Sequence, residues 1–157
     1  MNKISLIFLF FVSLSYSQQN LPNVNLKNIE GQTITSTSFN EVDKLYVFSF
    51  WATWCAPCIQ ELEAISDVYS DWKSNLNMEL IAVSVDDSRT IKRVNPLVNG
   101  KGWDYKILLD TNQDFKRALS IANVPYLIVV KNGKIVFTQS GHSPGGEEEL
   151  FEKLKTL

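Results

Sequence analysis

Histidine occurs once in these 157 residues and cysteine twice. A structural zinc site needs about four ligands. Beyond the two cysteines the chain offers only His142 as a nitrogen donor, so a zinc module is a poor fit. Excess basic charge is also missing. The 15 Lys and Arg are outnumbered by 17 Asp and Glu, and the net charge of −2 leaves no basic face for nucleic acid. No apolar run approaches the roughly 20 residues needed to cross a bilayer. The nearest is Ile4 to Leu14, 11 residues interrupted by Ser5 and Ser13. Internal repeats and low-complexity tracts are absent, so neither a solenoid nor a disordered linker is indicated.

What remains is one ordinary domain. The length suits a single core and is short for two, and 45% hydrophobic with 20% charged residues is a globular composition. The first residues stand apart from it. Met1-Asn2-Lys3 is a short basic start, Ile4 to Leu14 an apolar core, and Ser15-Tyr16-Ser17 offers small residues for cleavage. Residues 1–17 therefore read as a secretory signal cut after Ser17. The competing readings are a buried N-terminal helix or an uncleaved anchor. No cysteine lies near the cut, so no lipid anchor is expected. The predicted location is extracytoplasmic, the periplasm where the organism has an outer membrane.

Both cysteines sit in Phe50-Trp51-Ala52-Thr53-Trp54-Cys55-Ala56-Pro57-Cys58. The apolar run Leu45 to Phe50 before them reads as a buried strand. After them, Cys58, Leu62, Ile65, Tyr69 and Trp72 recur at helical spacing, with Gln60, Glu63, Asp67, Asp71 and Lys73 filling the other side. The Cys-x-x-Cys thus lies where a strand gives way to a helix, a place where Pro57 costs no intrahelical bond. A helix N-terminus stabilises a thiolate and makes it nucleophilic near neutral pH. Cys55 at the corner is expected to be exposed, and Cys58, one turn in, shielded. Such a pair suits disulfide exchange. A structural staple fits less well, because a loop of two intervening residues constrains the unfolded chain little.

These residues, followed by Glu61, resemble the thioredoxin superfamily, and within it the extracytoplasmic TlpA/ResA-like branch. The resemblance covers about residues 21–157. It implies an α/β thioredoxin-like fold, with a central mixed sheet flanked by helices, an N-terminal β-hairpin and an inserted βα segment. In this chain Val24 to Leu26 and Gln32 to Thr35, around Glu30-Gly31, read as the hairpin. Ser84 to Tyr105 matches the extra segment. Within it Asp86-Asp87-Ser88 is placed to cap a loose helix reaching Asn99-Gly100, with Pro96 weakening its middle. Met78 to Val85 and Lys106 to Leu109 read as strands, and Gln113 to Ile121 as a short helix. Leu127 to Val130 and Ile135 to Phe137 flank Asn132-Gly133, the strongest hairpin signal in the chain. Glu147, Glu148 and Glu149 open a last helix with the charge its N-terminus favours.

The resemblance also assigns roles. Pro125 matches a cis-proline lying against the Cys-x-x-Cys. Taken alone it would be read as trans. A proline has no N–H, which leaves the backbone groups of Val124 for a substrate chain, so Trp54, Val124 and Pro125 are the expected substrate-binding residues. Tyr126 departs from the threonine often found there. Glu61 is implied as an active-site carboxylate that influences the cysteines. The plain alternative is that it caps or solvates the first turn. Thioredoxin itself carries a buried aspartate where this chain has Ser49. His142 reads as a solvated loop residue.

The expected activity is thiol–disulfide exchange on protein disulfides with no cofactor, Cys55 attacking and Cys58 resolving. Strong oxidants hold a thiolate pKa near ~3.5, against ~7 for a thioredoxin-like reductant. The uncharged Ala56-Pro57 pair points to the reductant. The resemblance implies a membrane thiol-electron carrier as donor and substrates such as apocytochromes during cytochrome c biogenesis. An oxidase or isomerase, or a copper-binding module using Cys55, Cys58 and His142, are the competing functions.

Overall fold

The computed structural model describes residues 19–157. The proposed signal, residues 1–17, lies outside the described residues. The first strands are β1 (Asn25–Asn28) and β2 (Thr33–Thr35), an antiparallel pair turning through Gly31 at φ 84°. Then come β3 (Leu45–Trp51), α1 (Ala56–Asn75), β4 (Met78–Ser84), α2 (Val94–Lys101) and β5 (Lys106–Leu109). The chain closes with α3 (Asp114–Ala118), β6 (Tyr126–Lys131), β7 (Lys134–Ser140) and α4 (Gly146–Leu154). The seven strands form one mixed sheet in the order β2-β1-β5-β4-β3-β6-β7. β3, β4 and β5 run parallel, while β6, β7 and the hairpin run antiparallel to their neighbours. No helix among the described residues is long and apolar enough to span a membrane.

The continuous apolar run of β3 has the meaning expected of it: all seven residues are buried. Such a strand needs cover on both faces, and its alternation divides the cover. Tyr46, Phe48 and Phe50 point to one side. There Phe39 packs edge-on against Tyr46 and Phe48, and Phe115 of α3 meets Phe48 and Phe50 at 5.7 and 5.2 Å between ring centroids. Ser49 and Trp51 point to the side of α1, whose Leu62 and Ile65 are wholly buried. On this side Trp51 meets Trp103, and α4 is held to α1 by the stacked rings of Phe151 and Trp72, 5.5 Å apart.

Several boundaries differ from the sequence reading. The segment between β4 and β5 runs as a 3-10 turn, Ile91–Arg93, and then α2. Pro96 is the third residue of α2, inside the turn that lacks intrahelical donors, so it does not weaken the helix. Asp86 and Asp87 cap no helix. Asp87 instead bonds the N–H of Arg89, and Asp86 turns inward to the Cys-x-x-Cys loop. α3 is five residues, shorter than the Gln113–Ile121 expected. Gln113 and Ser120 take left-handed φ values of 58° and 56°, which end it on both sides. Asp110, missed as a structural residue, caps α3 by accepting from the N–H groups of Phe115 and Lys116 at 3.1 and 2.9 Å.

With so short a helix, α3 depends on Phe115, which is fully buried. Phe115→Ala is expected to cost about 3–5 kcal/mol, the range for emptying an aromatic core position. Urea unfolding should show this as a lowered midpoint with an unchanged slope.

Candidate active site

The parallel strands β3, β4 and β5 end at the same pole of the sheet, the edge where α/β sheets place their sites. β3 delivers Trp51 there, and the chain turns through Ala52-Thr53-Trp54 into α1. Cys55 is the N-cap residue of α1, with extended φ and ψ of −97° and 91°, and no side chain caps the helix. Pro57 lies in the first turn, as its missing N–H allows. Cys55 and Cys58 are joined as a disulfide with Cα atoms 5.3 Å apart.

The burial of the two cysteines corrects one expectation. Cys58 is fully buried as expected, but Cys55 is only 6% exposed and not the open corner residue foreseen. Bonding to Cys58 commits its sulfur to the helix end. The exposed group at the corner is Trp54, at 58%, one of two large hydrophobics left open among the described residues.

The turn before Cys55 is held by a carboxylate that the sequence reading assigned elsewhere. Asp86, just past β4 and wholly buried, accepts from the Thr53 N–H at 2.8 Å and the Thr53 hydroxyl at 2.6 Å. Ser84 donates a third bond at 2.8 Å. A buried carboxyl group is tolerated when its lone pairs are used in this way. The signal for it was an aspartate directly after a continuously apolar strand.

Across β3 lies β6. Phe50 pairs with Tyr126, so Pro125 stands alongside the end of β3. The Val124–Pro125 peptide is cis, and the Pro125 carbonyl is taken by the Gly141 N–H at 2.9 Å. Val124 and Pro125 thus share the pole with Cys55 and Trp54.

Glu61 neither caps nor solvates. It is 6% exposed, on the face of α1 that meets β3, and Ser49 donates to its Oε2 at 3.0 Å. Burial raises its pKa from 4.5 to about 7, against the smaller lowering effect of the Ser49 hydroxyl. Ser49 and Glu61 were read separately in the sequence; the structure makes them one hydrogen-bonded pair between strand and helix, one turn beyond Cys58. His142 is half-buried and lines a small cavity with Glu61. Among the described residues no group of three or more His, Cys, Asp and Glu is placed to hold a metal.

Known proteins share this architecture. The family model described as AhpC/TSA matches residues 17–138. A thiol-disulfide oxidoreductase ResA from Halalkalibacterium halodurans is 28% identical over 148 residues, 92% of this chain and 78% of that protein. The solution structure of a thioredoxin-like protein from Porphyromonas gingivalis is 46% identical with a TM-score of 0.76, over 87% of this chain and 90% of that one. StoA from Bacillus subtilis superposes with a TM-score of 0.68 at 23% identity, over 84% and 96% of the two chains, a likeness of fold.

The buried carboxyl makes stability depend on pH. The unfolded chain ionises Glu61 near 4.5 and the folded oxidised protein near 7. Between these values the folded state keeps a proton that the unfolded state loses, so stability falls as pH rises through this window. A lift of this size corresponds to about 3 kcal/mol. Denaturant unfolding of the oxidised protein at pH 5 and pH 8 should show Glu61→Gln losing less stability than the unsubstituted protein across the interval. Equal losses would mean that Glu61 ionises at its ordinary value.

Proposed function

We propose, from the premise that this chain belongs to the AhpC/TSA family, that it works outside the cytoplasm as a reductase of protein disulfides. Its chemistry at the coarser level is that of a thiol–disulfide oxidoreductase, the activity named for the ResA relative. The observation that carries the reading is the Cys55–Cys58 disulfide at the start of α1, beside the cis Val124–Pro125 peptide. Closed, the pair is the product of reducing another disulfide; opened by a donor, it is ready to do so again.

The steps follow from placement. The reduced Cys55 thiolate, held at the positive end of a 20-residue helix, attacks one sulfur of a substrate disulfide. The substrate S–S bond breaks, and its second sulfur leaves as a thiolate. Cys58 gives its proton to the Glu61 carboxylate one turn along, and the Cys58 thiolate attacks Cys55. The mixed disulfide breaks, the remaining substrate sulfur leaves as a thiolate, and Cys55–Cys58 closes. Two electrons pass from the pair to the substrate, and Glu61 is left holding one proton. Exposed Trp54 and the backbone of Val124 border the sulfurs as the surface on which a substrate strand rests.

The reductive direction is supported by the residues between the cysteines. Ala56 and Pro57 add no charge and no N–H beyond the helix's own, so nothing holds the thiolate as strongly as an oxidant requires. The basic start, apolar core and small-residue site read in residues 1–17, and the resemblance to the extracytoplasmic TlpA/ResA-like branch, support export. A membrane thiol-electron carrier is the proposed donor, and exported thiol proteins, apocytochromes among them, the proposed substrates. In a copper-binding reading His142 would join the cysteines. It lines the Glu61 cavity instead, which favours exchange.

Cys58→Ser should attack substrates and then stall, so mixed disulfides should accumulate on non-reducing gels of the extracytoplasmic fraction. Cys55→Ser should trap none. The reverse pattern would exchange the two roles. No trapping by either variant, with insulin reduction unaffected in both, would remove the oxidoreductase reading. A reduction potential near about −120 mV would make the protein an oxidant instead.

A further inference from the structure

Glu61 receives a proton in each cycle and must lose it again, yet it is 6% exposed and sits behind β3. Its bond from Ser49 uses Oε2, and no hydrogen bond to Oε1 is found among the described residues. Beside it lies a small cavity lined by Glu61 and Ile65 of α1, Gln139 of β7, His142, and Glu147 and Leu150 of α4. The room inside for a water centre is about 10 Å³, the size that admits one ordered water. A single water needs two to four polar partners, and this cavity offers them from three elements. One lining residue has an unspent atom: Oε2 of Glu147 is buried and has no hydrogen-bond partner among the described residues. A buried acceptor without a partner is costly, and a bound water is the usual remedy.

We propose that this cavity is the proton port of the redox site, in which one water joins Glu61 to Glu147 and His142 and carries the proton to bulk solvent. The inference rests on the proposed exchange reaction. His142 lines the cavity and is itself half-buried, and an imidazole can accept at one nitrogen while donating at the other. Glu147 opens α4 after Gly145, whose φ of 81° lets the chain turn directly from the His142 loop into the helix. The loop and the helix start therefore close the cavity together. The titratable and polar groups around Glu61 are few. They are Ser49 from β3, Cys58 on its own helix, Tyr105 from the approach to β5, and the Gln139, His142 and Glu147 of the cavity. The Tyr105 hydroxyl donates to the Leu62 carbonyl at 3.2 Å, and burial keeps it protonated far above neutrality, so it offers no exit. The cavity leads outward through His142 and Glu147, which are both half-buried. The proton given up by Cys58 moves to Glu61, then through the water to His142 or Glu147, and leaves as hydronium or on buffer, which balances the ring-closing step.

The test follows ring closure in purified, reduced, full-length protein mixed with excess oxidised glutathione, at pH 6 to 8, in H₂O and D₂O. His142→Ala and Glu147→Gln are each expected to slow release of the second glutathione by about a hundredfold, the low end for loss of a proton carrier, and to enlarge the solvent isotope effect. Added imidazole should restore His142→Ala and leave Glu147→Gln unchanged. Glu147→Gln keeps the shape and one acceptor oxygen but cannot take up or release a proton, so it separates proton transfer from packing, and unfolding midpoints check that both variants are folded. Wild-type rates and isotope effects in both variants would overturn the port. So would a slowing with no change in isotope effect and no imidazole rescue, since that is a structural defect. If the unsubstituted protein forms no mixed disulfide, the proposed function fails and the port fails with it.

Discussion

The complete burial of β3 is the constraint on which the rest depends. A strand covered on both faces must find a layer for each, and its alternating side chains assign them: aromatic rings toward Phe39 and Phe115, Ser49 and Trp51 toward α1. Parallel pairing with β4 and antiparallel pairing with β6 follow on its two edges. Because β3 ends at Trp51, the chain has to leave the sheet there and begin a helix within a few residues. The reactive pair stands at that exit. Placing Cys55 is thus a consequence of burying Val47, Phe48 and Phe50, which never touch a substrate.

The outline of the fold was legible because its signals are local. Cys58, Leu62, Ile65, Tyr69 and Trp72 mark the inner face of α1 by their spacing alone, and all five are buried. Asn132-Gly133 marks the β6–β7 turn because both residues tolerate the positive φ, 51° and 73°, that it adopts. The cis form of Pro125 is a different case. Nothing in the local sequence distinguishes it from an ordinary proline, and only the resemblance pointed to it.

What the sequence left hidden is the set of polar contacts between distant positions. Asp86 lies 33 residues from Thr53, and Ser49 lies 12 from Glu61. Propensity and periodicity carry no information at such separations. Asp86 therefore read as a helix cap, Ser49 as a position that had lost a carboxylate, and His142 as a solvated loop residue. In three dimensions the carboxylate of this site comes from the helix and the hydroxyl from the strand. A buried acid thus still stands behind the cysteines, although β3 supplies none. The exposure of Cys55 was misjudged for a related reason: position along the chain says where a residue is, while a covalent bond to a buried partner decides which way its sulfur faces.

The strap formed by Gln19 to Leu21 has a geometric consequence. Its groups bond Gly133 and Ile135, at the turn between β6 and β7. β6 runs antiparallel to β3, so that turn lies at the opposite end of the sheet from Cys55. Seven strand residues separate the two ends by roughly 23 Å. Gln19 therefore stands at the pole opposite Trp54. The strap and the redox pair thus occupy the two ends of one buried strand, so a contact made at the strap leaves Trp54 uncovered.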